Sequence, residues 1–129
     1  MEGKTVVRTE EAPAPFQGAP YSQAIRVGGL VFVSGQLALR PGAPEIVGAT
    51  IQEQTEQVFA NLGAILEEAG SGLDQLVKTT VYLANLDDFA GMNEVYSRHV
   101  GDAPPARATI EVSALPSGAL VEIEAIATV

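Results

Sequence analysis

Apolar residues along the chain recur with two different periods, one typical of strands and one typical of helices. Runs rich in Val, Ile, Leu and Thr predict six strands, at residues 4–9, 22–27, 30–34, 76–83, 107–112 and 120–128. Gly28 and Gly29 join the second and third runs, and paired glycines supply the positive φ angles of a two-residue hairpin turn. The pattern therefore predicts a β-sheet that includes a hairpin.

The stretch after residue 49 carries the signals of a first helix. Thr50 and Glu53 form the T-x-x-E pattern of a capping box at its start, and Gly70 is a plausible end. The predicted inner face repeats at helical spacing and consists of Val58, Phe59, Leu62, Ile65, Leu66 and Ala69. The face predicted to meet water consists of Gln54, Gln57, Gly63, Glu67 and Glu68.

A second helix is predicted after residue 87. Asp87 is its expected N-cap, and His99, near its C-terminal end, is expected to be solvated and favoured by the helix dipole. Its predicted inner stripe consists of Phe89, Met92, Val95, Tyr96 and Val100. Asn61 in the first helix and Asn93 in the second are expected to hold their helices to neighbouring loops through hydrogen bonds.

The predicted elements follow the order β-β-β-α-β-α-β-β. This order indicates an α+β fold in a single domain over residues 1–129, with a mixed sheet and two helices on one face. Four residues of the segment 10–20 are proline or glycine, so this segment is predicted to be an extended connector. Dinucleotide, P-loop, zinc-protease and serine-hydrolase signatures are missing from the sequence.

Composition narrows the classes of partner. A hydrophobic content of 47% with 18% charged residues is typical of a folded chain rather than a disordered one. The formal net charge of -9 repels phosphate backbones, and the chain has few aromatic residues and no Trp to stack on bases. Nucleic acid is therefore not expected as a partner.

Cysteine and histidine counts restrict the chemistry. The chain has no Cys and one His, so disulfides, thiolate nucleophiles, cysteine-based zinc sites and histidine-rich metal sites are excluded. No metal or cofactor is expected. The sequence lacks a signal-peptide core and an apolar stretch long enough to span a bilayer, so we expect a cytoplasmic protein without membrane association.

Charged residues interrupt the two C-terminal strands. Alternation places Arg107, Thr109 and Glu111 on one face of their strand. It places Glu122 and Glu124 together on one face of the last strand, opposite Val121, Ile123 and Ala125. On periodicity alone, these residues are best explained as a solvated face with cross-strand pairing of Arg107 with Glu122 or Glu124.

A functional interpretation uses the same residues. The planar guanidinium of Arg107 matches a carboxylate at two points, so it could anchor a small organic acid, and a nearby Glu could orient or deprotonate water. Ser34 and Gly35, at a strand end, could supply a hydroxyl and close backbone approach, and Tyr21 could form a pocket wall. Ser34 is favoured as a hydrogen-bonding residue over a nucleophile, because no His can activate it.

Taken together, these landmarks resemble the RidA/YjgF family from about Ala12 to the C-terminus. The matching segments are Pro20-Tyr21-Ser22-Gln23-Ala24, Val33-Ser34-Gly35-Gln36, Gln54-Thr55, Asn61-Leu62, Val77-Lys78-Thr79-Thr80-Val81, Asp88-Phe89, Asn93-Glu94-Val95-Tyr96, Pro105-Ala106-Arg107-Ala108-Thr109, Leu115-Pro116 and Val121-Glu122-Ile123-Glu124-Ala125.

The resemblance implies a chorismate-mutase-like subunit in a homotrimer, with three sheets around a central β-barrel and ligand sites between subunits. It also implies hydrolysis of reactive enamines and imines, such as 2-aminoacrylate and 2-iminobutanoate, to 2-keto acids and ammonia. By the same resemblance, Arg107 holds the substrate carboxylate and Glu122 is associated with the attacking water, with Glu124 as second choice. Tyr21, Ser34 and Gly35 match the pocket wall.

Two positions and one segment depart from the family pattern. Thr109 stands where many relatives have Cys, so a thiol is not required, and its backbone could still contact ligand. Ala19 is inserted in Gly18-Ala19-Pro20-Tyr21 where many relatives read Gly-Pro-Tyr, which could shift the tyrosine. The segment from His99 to Pro105 is shorter than in some relatives. These departures bear on the preferred size of the substrate more than on the reaction.

Other functions stay open at this point. One is a specialised catabolic deaminase that acts on a larger enamine acid, and another is a non-catalytic or chaperone-like trimer that binds small acids. Ribonuclease activity, which is attributed to some relatives, is the weakest of these candidates because of the negative charge.

Overall fold

The computed structural model describes residues 3–129 and consists of one six-stranded sheet with two α-helices. The elements are β1 (Thr5–Val7), β2 (Ala24–Val27), β3 (Leu30–Gln36), α1 (Ile51–Glu68), β4 (Leu76–Leu83), α2 (Phe89–Val100), β5 (Ala106–Glu111) and β6 (Val121–Thr128). Their order confirms the predicted β-β-β-α-β-α-β-β arrangement and the α+β class. No helix of the described residues is long and apolar enough to cross a membrane.

The sheet is mixed, with the strand order β1-β2-β3-β6-β4-β5. Within residues 3–129, only the β4–β5 pair is parallel, and α2 forms the crossover between these two strands. Because β4 lies between β5 and β6, its residues from Lys78 to Leu83 have a partner on both sides; Thr79 pairs with Arg107 on one side and Ala125 on the other. Strands β5 and β6 therefore do not pair with each other.

The hairpin between β2 and β3 is confirmed. Val27 pairs with Leu30, and Gly28 and Gly29 between them have φ angles of 56° and 83°. Residues other than glycine seldom take such angles, which explains the Gly-Gly sequence at this turn.

The capping box predicted for α1 is also confirmed. The Glu53 backbone N–H donates to Thr50 Oγ1 over 3.1 Å, and Glu53 Oε1 accepts from the Thr50 backbone N–H over 3.1 Å. Asn61 in the same helix donates to the carbonyl groups of Leu37 and Leu39, so it ties α1 to the segment after β3 as expected.

The predicted water-facing position of Gln54 is wrong. Its side chain is 4% exposed, Nε2 donates to the Gly48 carbonyl, and Oε1 accepts from the Leu120 backbone N–H over 2.9 Å. A buried amide is tolerated here because it satisfies backbone groups of two loops that run past the start of α1. Polarity alone assigned this residue to the wrong face.

Two predictions for α2 are also wrong. Asp87 is not its N-cap: it lies in a short 3₁₀ turn, Leu86–Asp88, where its backbone N–H donates to Asn85 Oδ1, and α2 follows Asp88. His99 is not simply solvated, because its ring stacks on Phe59 at 4.7 Å and its Nε2 lies 2.7 Å from Glu56 Oε1. The carboxylate on α1 and the aromatic ring compete successfully with water for this side chain.

The two faces of the sheet have different environments. The covered face packs against α1 and α2, and its buried residues include Val33, Val81, Ile123 and Ala125. The opposite face, here called the open face, carries no helix among the described residues, and Phe32 and Ile110 on it are 42% and 45% exposed. The predicted placement of both helices on one face is therefore confirmed, and an apolar sheet surface remains uncovered.

Candidate functional site

A cleft of about 450 Å³ on the open face contains several of the predicted site residues. Tyr21, Ser34, Gly35 and Glu122 all line it, together with Glu124. The remaining lining residues are Phe16, Ala19, Leu37 and Pro116. Residues that are far apart in the chain are thus brought to one place, where β3 and β6 meet the connector that precedes β2.

A bulge in β3 shapes the floor of this cleft. Val33 pairs with Ala125 and Gln36 with Ile123, so β3 has one residue more than β6 between these pairs. The bulged segment contains Ser34 and Gly35. A Cβ atom at Gly35 would overlap the Glu122 carboxylate, so glycine is the residue that allows this carboxylate to lie against the β3 backbone.

Ser34 has hydrogen bonds that hold it in the sheet. Its hydroxyl donates to the Ser22 carbonyl over 2.6 Å, and its backbone N–H donates to the Gln23 carbonyl over 2.9 Å. With no histidine beside it, this geometry fits a structural hydrogen-bonding residue at the pocket wall better than a nucleophile.

Tyr21 projects over the cleft from the connector. Its hydroxyl oxygen accepts from the Phe16 backbone N–H, while the side chain stays 41% exposed. The hydroxyl proton is consequently free to donate to a group in the cleft. The extra Ala19 is accommodated by a short turn, in which the Tyr21 N–H donates to the Ala19 carbonyl.

Glu122 is half-buried in this cleft, with Glu124 next to it on the same face of β6. Burial raises the pKa of the Glu122 carboxyl above its ordinary value, and the negative charge of Glu124 raises it further. Burial, followed by the charge of Glu124, also raises the pKa of Tyr82, which pairs with Glu122 on the neighbouring strand. A carboxyl with a raised pKa exchanges protons closer to neutral pH, as general acid–base catalysis requires.

Arg107 lies elsewhere, on the covered face of β5 at the edge of the sheet. Its Nη1 donates to Asn93 Oδ1 over 2.7 Å, and its Cζ lies 4.6 Å from the centroid of the Tyr96 ring. Its Cζ also lies 5.5 Å from the centroid of the Phe89 ring. Phe89 is 41% exposed, so its predicted place in the buried stripe of α2 is wrong.

No ion pair involves Arg107 within residues 3–129. The predicted cross-strand pairing with Glu122 or Glu124 is therefore wrong. The physical reason is the strand order, since β4 separates the two strands. The guanidinium keeps hydrogen-bond donors for a ligand, because Asn93 accepts from only one of its five N–H groups.

Thr109 lies on the same face of β5 as Arg107, two residues further along. Its Oγ1 is buried and has no hydrogen-bond partner among the described residues. A buried hydroxyl without a partner is costly, so this atom is a candidate to bond a group that the single chain does not supply.

The candidate site consequently has two parts on opposite faces of one sheet. The first part, here called the carboxylate cleft, contains Tyr21, Ser34, Gly35 and Glu122; the second, the arginine edge, contains Arg107 and Thr109. One chain does not bring these two parts together.

Sequence reasoning missed three neighbours of Arg107. Asn93 was assigned to helix–loop bonding, and Phe89 and Tyr96 were assigned to the core of α2. Their helical spacing, with intervals of four and three residues, does place all three on one face toward β5.

No group of three or more potential metal ligands occurs within residues 3–129.

Comparison with known proteins gives consistent matches over nearly the whole chain. Residues 9–129 match the family model described as Endoribonuclease L-PSP. A RutC family protein of Pyrococcus abyssi is 55% identical over 124 residues, which cover 96% of each chain. The 2-iminobutanoate/2-iminopropanoate deaminase of Mus musculus is 44% identical over 124 residues, or 96% of this chain and 90% of that protein.

A solved structure also matches this chain over nearly its whole length. The crystal structure of E. coli TdcF with bound serine superposes with a TM-score of 0.89 at 36% identity, covering 97% of this chain and 98% of that one.

Proposed function

Because the chain belongs to the RidA/YjgF family, we propose that it hydrolyses reactive 2-enamine and 2-imino acids, such as 2-aminoacrylate and 2-iminobutanoate, to 2-keto acids and ammonia. The mouse relative named as a deaminase of 2-imino acids supports this substrate class. So does TdcF, whose bound serine is a small amino acid with a carboxylate.

The observation that carries the proposal is the state of Arg107. Its guanidinium is held by Asn93 and Tyr96 and has no carboxylate partner among residues 3–129. Thr109, on the same face of β5, has a hydroxyl with no partner among these residues. A planar cation with free donors is suited to bind a carboxylate at two points. In the proposed complex, Arg107 holds the substrate carboxylate and Thr109 donates a further hydrogen bond.

Glu122 supplies the proton chemistry. With its pKa raised, its carboxylate orients water in the cleft and takes a proton as the water oxygen bonds to the imine carbon. The imine nitrogen takes up a proton from solvent, which gives a carbinolamine. Glu122 then passes the proton that it took from water to the amino nitrogen. The C–N bond breaks, the hydroxyl gives up its proton to solvent as the carbonyl forms, and ammonia leaves. Each turnover consumes one water, and the reaction as proposed uses no metal or cofactor.

The remaining cleft residues orient the substrate. Tyr21 can donate its hydroxyl proton, and Ser34 and Gly35 form the wall beside Glu122. Holding the imine carbon against an ordered water in this way is worth several kcal/mol of the barrier.

The site as proposed requires more than one copy of the chain. Arg107 and Glu122 lie on opposite faces of the sheet, so a site that contains both must combine the arginine edge of one subunit with the carboxylate cleft of another. The apolar open face, with Phe32 and Ile110 exposed, is suited to face other copies. We therefore propose a homotrimer in which three open faces surround a central β-barrel and each site lies between two subunits.

The proposal is tested with 2-iminobutanoate generated in place by a threonine dehydratase, with release of 2-ketobutanoate as the signal. The protein is expected to accelerate release, and Arg107→Ala is expected to abolish the acceleration. Arg98→Ala is the matched control, because it removes an exposed arginine whose partner is Glu56. No acceleration by the wild type, or full activity of Arg107→Ala, would contradict the proposal.

A second candidate is non-catalytic binding of small acids, which the serine bound to TdcF also favours. A thermal shift with 2-ketobutanoate and no acceleration of imine hydrolysis would support this alternative. A panel of larger enamine acids separates a general deaminase from a specialised catabolic one.

A further inference from the structure

We propose that Tyr96, anchored by Thr79, is a positioning residue that holds the guanidinium of Arg107 in its carboxylate-binding orientation. This inference rests on the proposed function, and it adds the residues that orient the Arg107 guanidinium. Neither residue is assigned to the reaction by the sequence, which places Tyr96 in the apolar stripe of α2.

The ring of Tyr96 provides a surface for the cation without using its donors. Arg107 Cζ lies 4.6 Å from the ring centroid, within the range of a favourable cation–π contact. A guanidinium held over a ring directs its N–H groups outward along its own plane. Asn93 accepts from one of these groups, and the others have no acceptor among the described residues, so they can serve a ligand.

Thr79 fixes the ring itself. The two hydroxyl groups, Thr79 Oγ1 and Tyr96 Oη, lie 2.6 Å apart in a buried hydrogen bond. Thr79 is also the residue of β4 that pairs with Arg107 of β5, so the anchor of the ring and the cation above it occupy neighbouring strand positions. The edge-to-face contact with Phe59, at 5.4 Å and 83°, restrains the ring from a further side.

Tyr96 is 5% exposed, so a purely structural role as a core side chain must be separated from positioning. Loss of a core contact lowers stability. Loss of positioning, in contrast, lowers the preference of the site for a carboxylate over a neutral group of the same shape. This preference is measured by calorimetry as a ratio of two dissociation constants, that of 2-oxobutanamide divided by that of 2-ketobutanoate (2-oxobutanoate).

The experiment compares Tyr96→Met, Tyr96→Phe, Thr79→Val and Val95→Ala in the full chain. Tyr96→Met keeps apolar volume without the ring face, and is expected to reduce the acid preference and raise KM for 2-iminobutanoate by roughly tenfold, with a smaller change in kcat. Tyr96→Phe keeps the ring, so its acid preference is expected to fall by only about two- to threefold. The same small decrease is expected for Thr79→Val. Val95→Ala, a buried neighbour in α2, is expected to lower Tm and leave the preference unchanged.

The outcomes separate this inference from the proposed function. Wild-type protein without any acid preference would contradict both. A clear preference in the wild type that is lost in Arg107→Ala but retained in Tyr96→Met would overturn the positioning role alone. The positioning role would be supported if the acid preference is lost in Tyr96→Met and retained in Tyr96→Phe and Val95→Ala.

Discussion

Arg107 and Glu122 lie on opposite faces of one β-sheet, and strand β4 separates the strands that carry them. Each is placed as a catalytic site would need it: Arg107 has a supported guanidinium with free donors, and Glu122 has a carboxyl with a raised pKa. Neither has the other within reach in one chain. The proposed chemistry consequently depends on an interface between subunits.

Replacement of Glu122 by Gln should separate activity from stability. The Glu122 carboxyl has a raised pKa in the folded protein, so the folded state binds the proton more tightly than the unfolded chain does, and stability falls as pH rises from 4.5 through the raised pKa. Glu122→Gln has no carboxyl to ionise, so the variant does not lose this stability as pH rises. We expect Tm at pH 7 to rise by about 2 °C and kcat to fall by roughly 100-fold or more.

Thermal denaturation between pH 4 and pH 8 and imine turnover over the same range check this prediction. Wild-type kcat/KM should fall as pH drops below the raised pKa, because the carboxylate form is the base. Glu67→Gln, an exposed carboxylate on α1, is the control and should change neither property. A Glu122→Gln variant with wild-type turnover would remove Glu122 from the mechanism.

Replacement of Gly35 by Ala should displace the Glu122 carboxylate. The added methyl group would overlap that carboxylate, so the side chain or the β3 backbone must move. A shift of this size is expected to lower kcat/KM by about 100-fold, because the position of the water-binding group changes. Gly3→Ala has nothing within 4 Å of the added atom and should retain wild-type kinetics. Equal kinetics for the two variants would contradict the close contact.

Thr109 gives a prediction in which stability and binding change in opposite directions. Thr109→Val removes a buried hydroxyl that has no partner in the described chain, so the free energy of unfolding should rise by about 1 kcal/mol. If the hydroxyl donates to ligand, affinity for 2-ketobutanoate should fall by roughly threefold to tenfold in the same variant. Thr109→Ser keeps the hydroxyl and should retain affinity. Equal affinity of the Val variant and the wild type would exclude the hydroxyl from the site.

RNA cleavage is not expected, although the matching family model carries an endoribonuclease description. The net charge of -9 opposes association with a phosphate backbone. Incubation of labelled RNA with fractions across a size-exclusion peak tests this. Cleavage that follows the protein peak and persists in Arg107→Ala would contradict the expectation.

Local signals in the sequence predicted most of the elements and their faces. The Gly28–Gly29 turn and the Thr50 capping box were correct because neighbouring residues determine them. Glu122 and Glu124 were placed on one face opposite buried residues because alternation requires no knowledge of the partner strand.

The sequence predictions were wrong where residues outside the local pattern determine the environment of a side chain. The insertion of β4 between β5 and β6 is not encoded in either strand, so the cross-strand pair predicted for Arg107 with Glu122 or Glu124 is absent. Gln54 is buried because loops at Gly48 and Leu120 offer backbone partners. His99 is partly removed from water because Glu56 and Phe59 lie on the facing helix. None of these partners is a sequence neighbour.

The most direct test of the account combines two inactive variants. Arg107→Ala and Glu122→Gln are purified separately, dissociated, mixed in equal amounts and reassembled, and 2-ketobutanoate release from 2-iminobutanoate is measured. If each site takes Arg107 from one subunit and Glu122 from another, random mixing restores both groups in about one quarter of the sites, and activity should return to about one quarter of the wild type. Mixed oligomers that form but stay inactive would contradict the account.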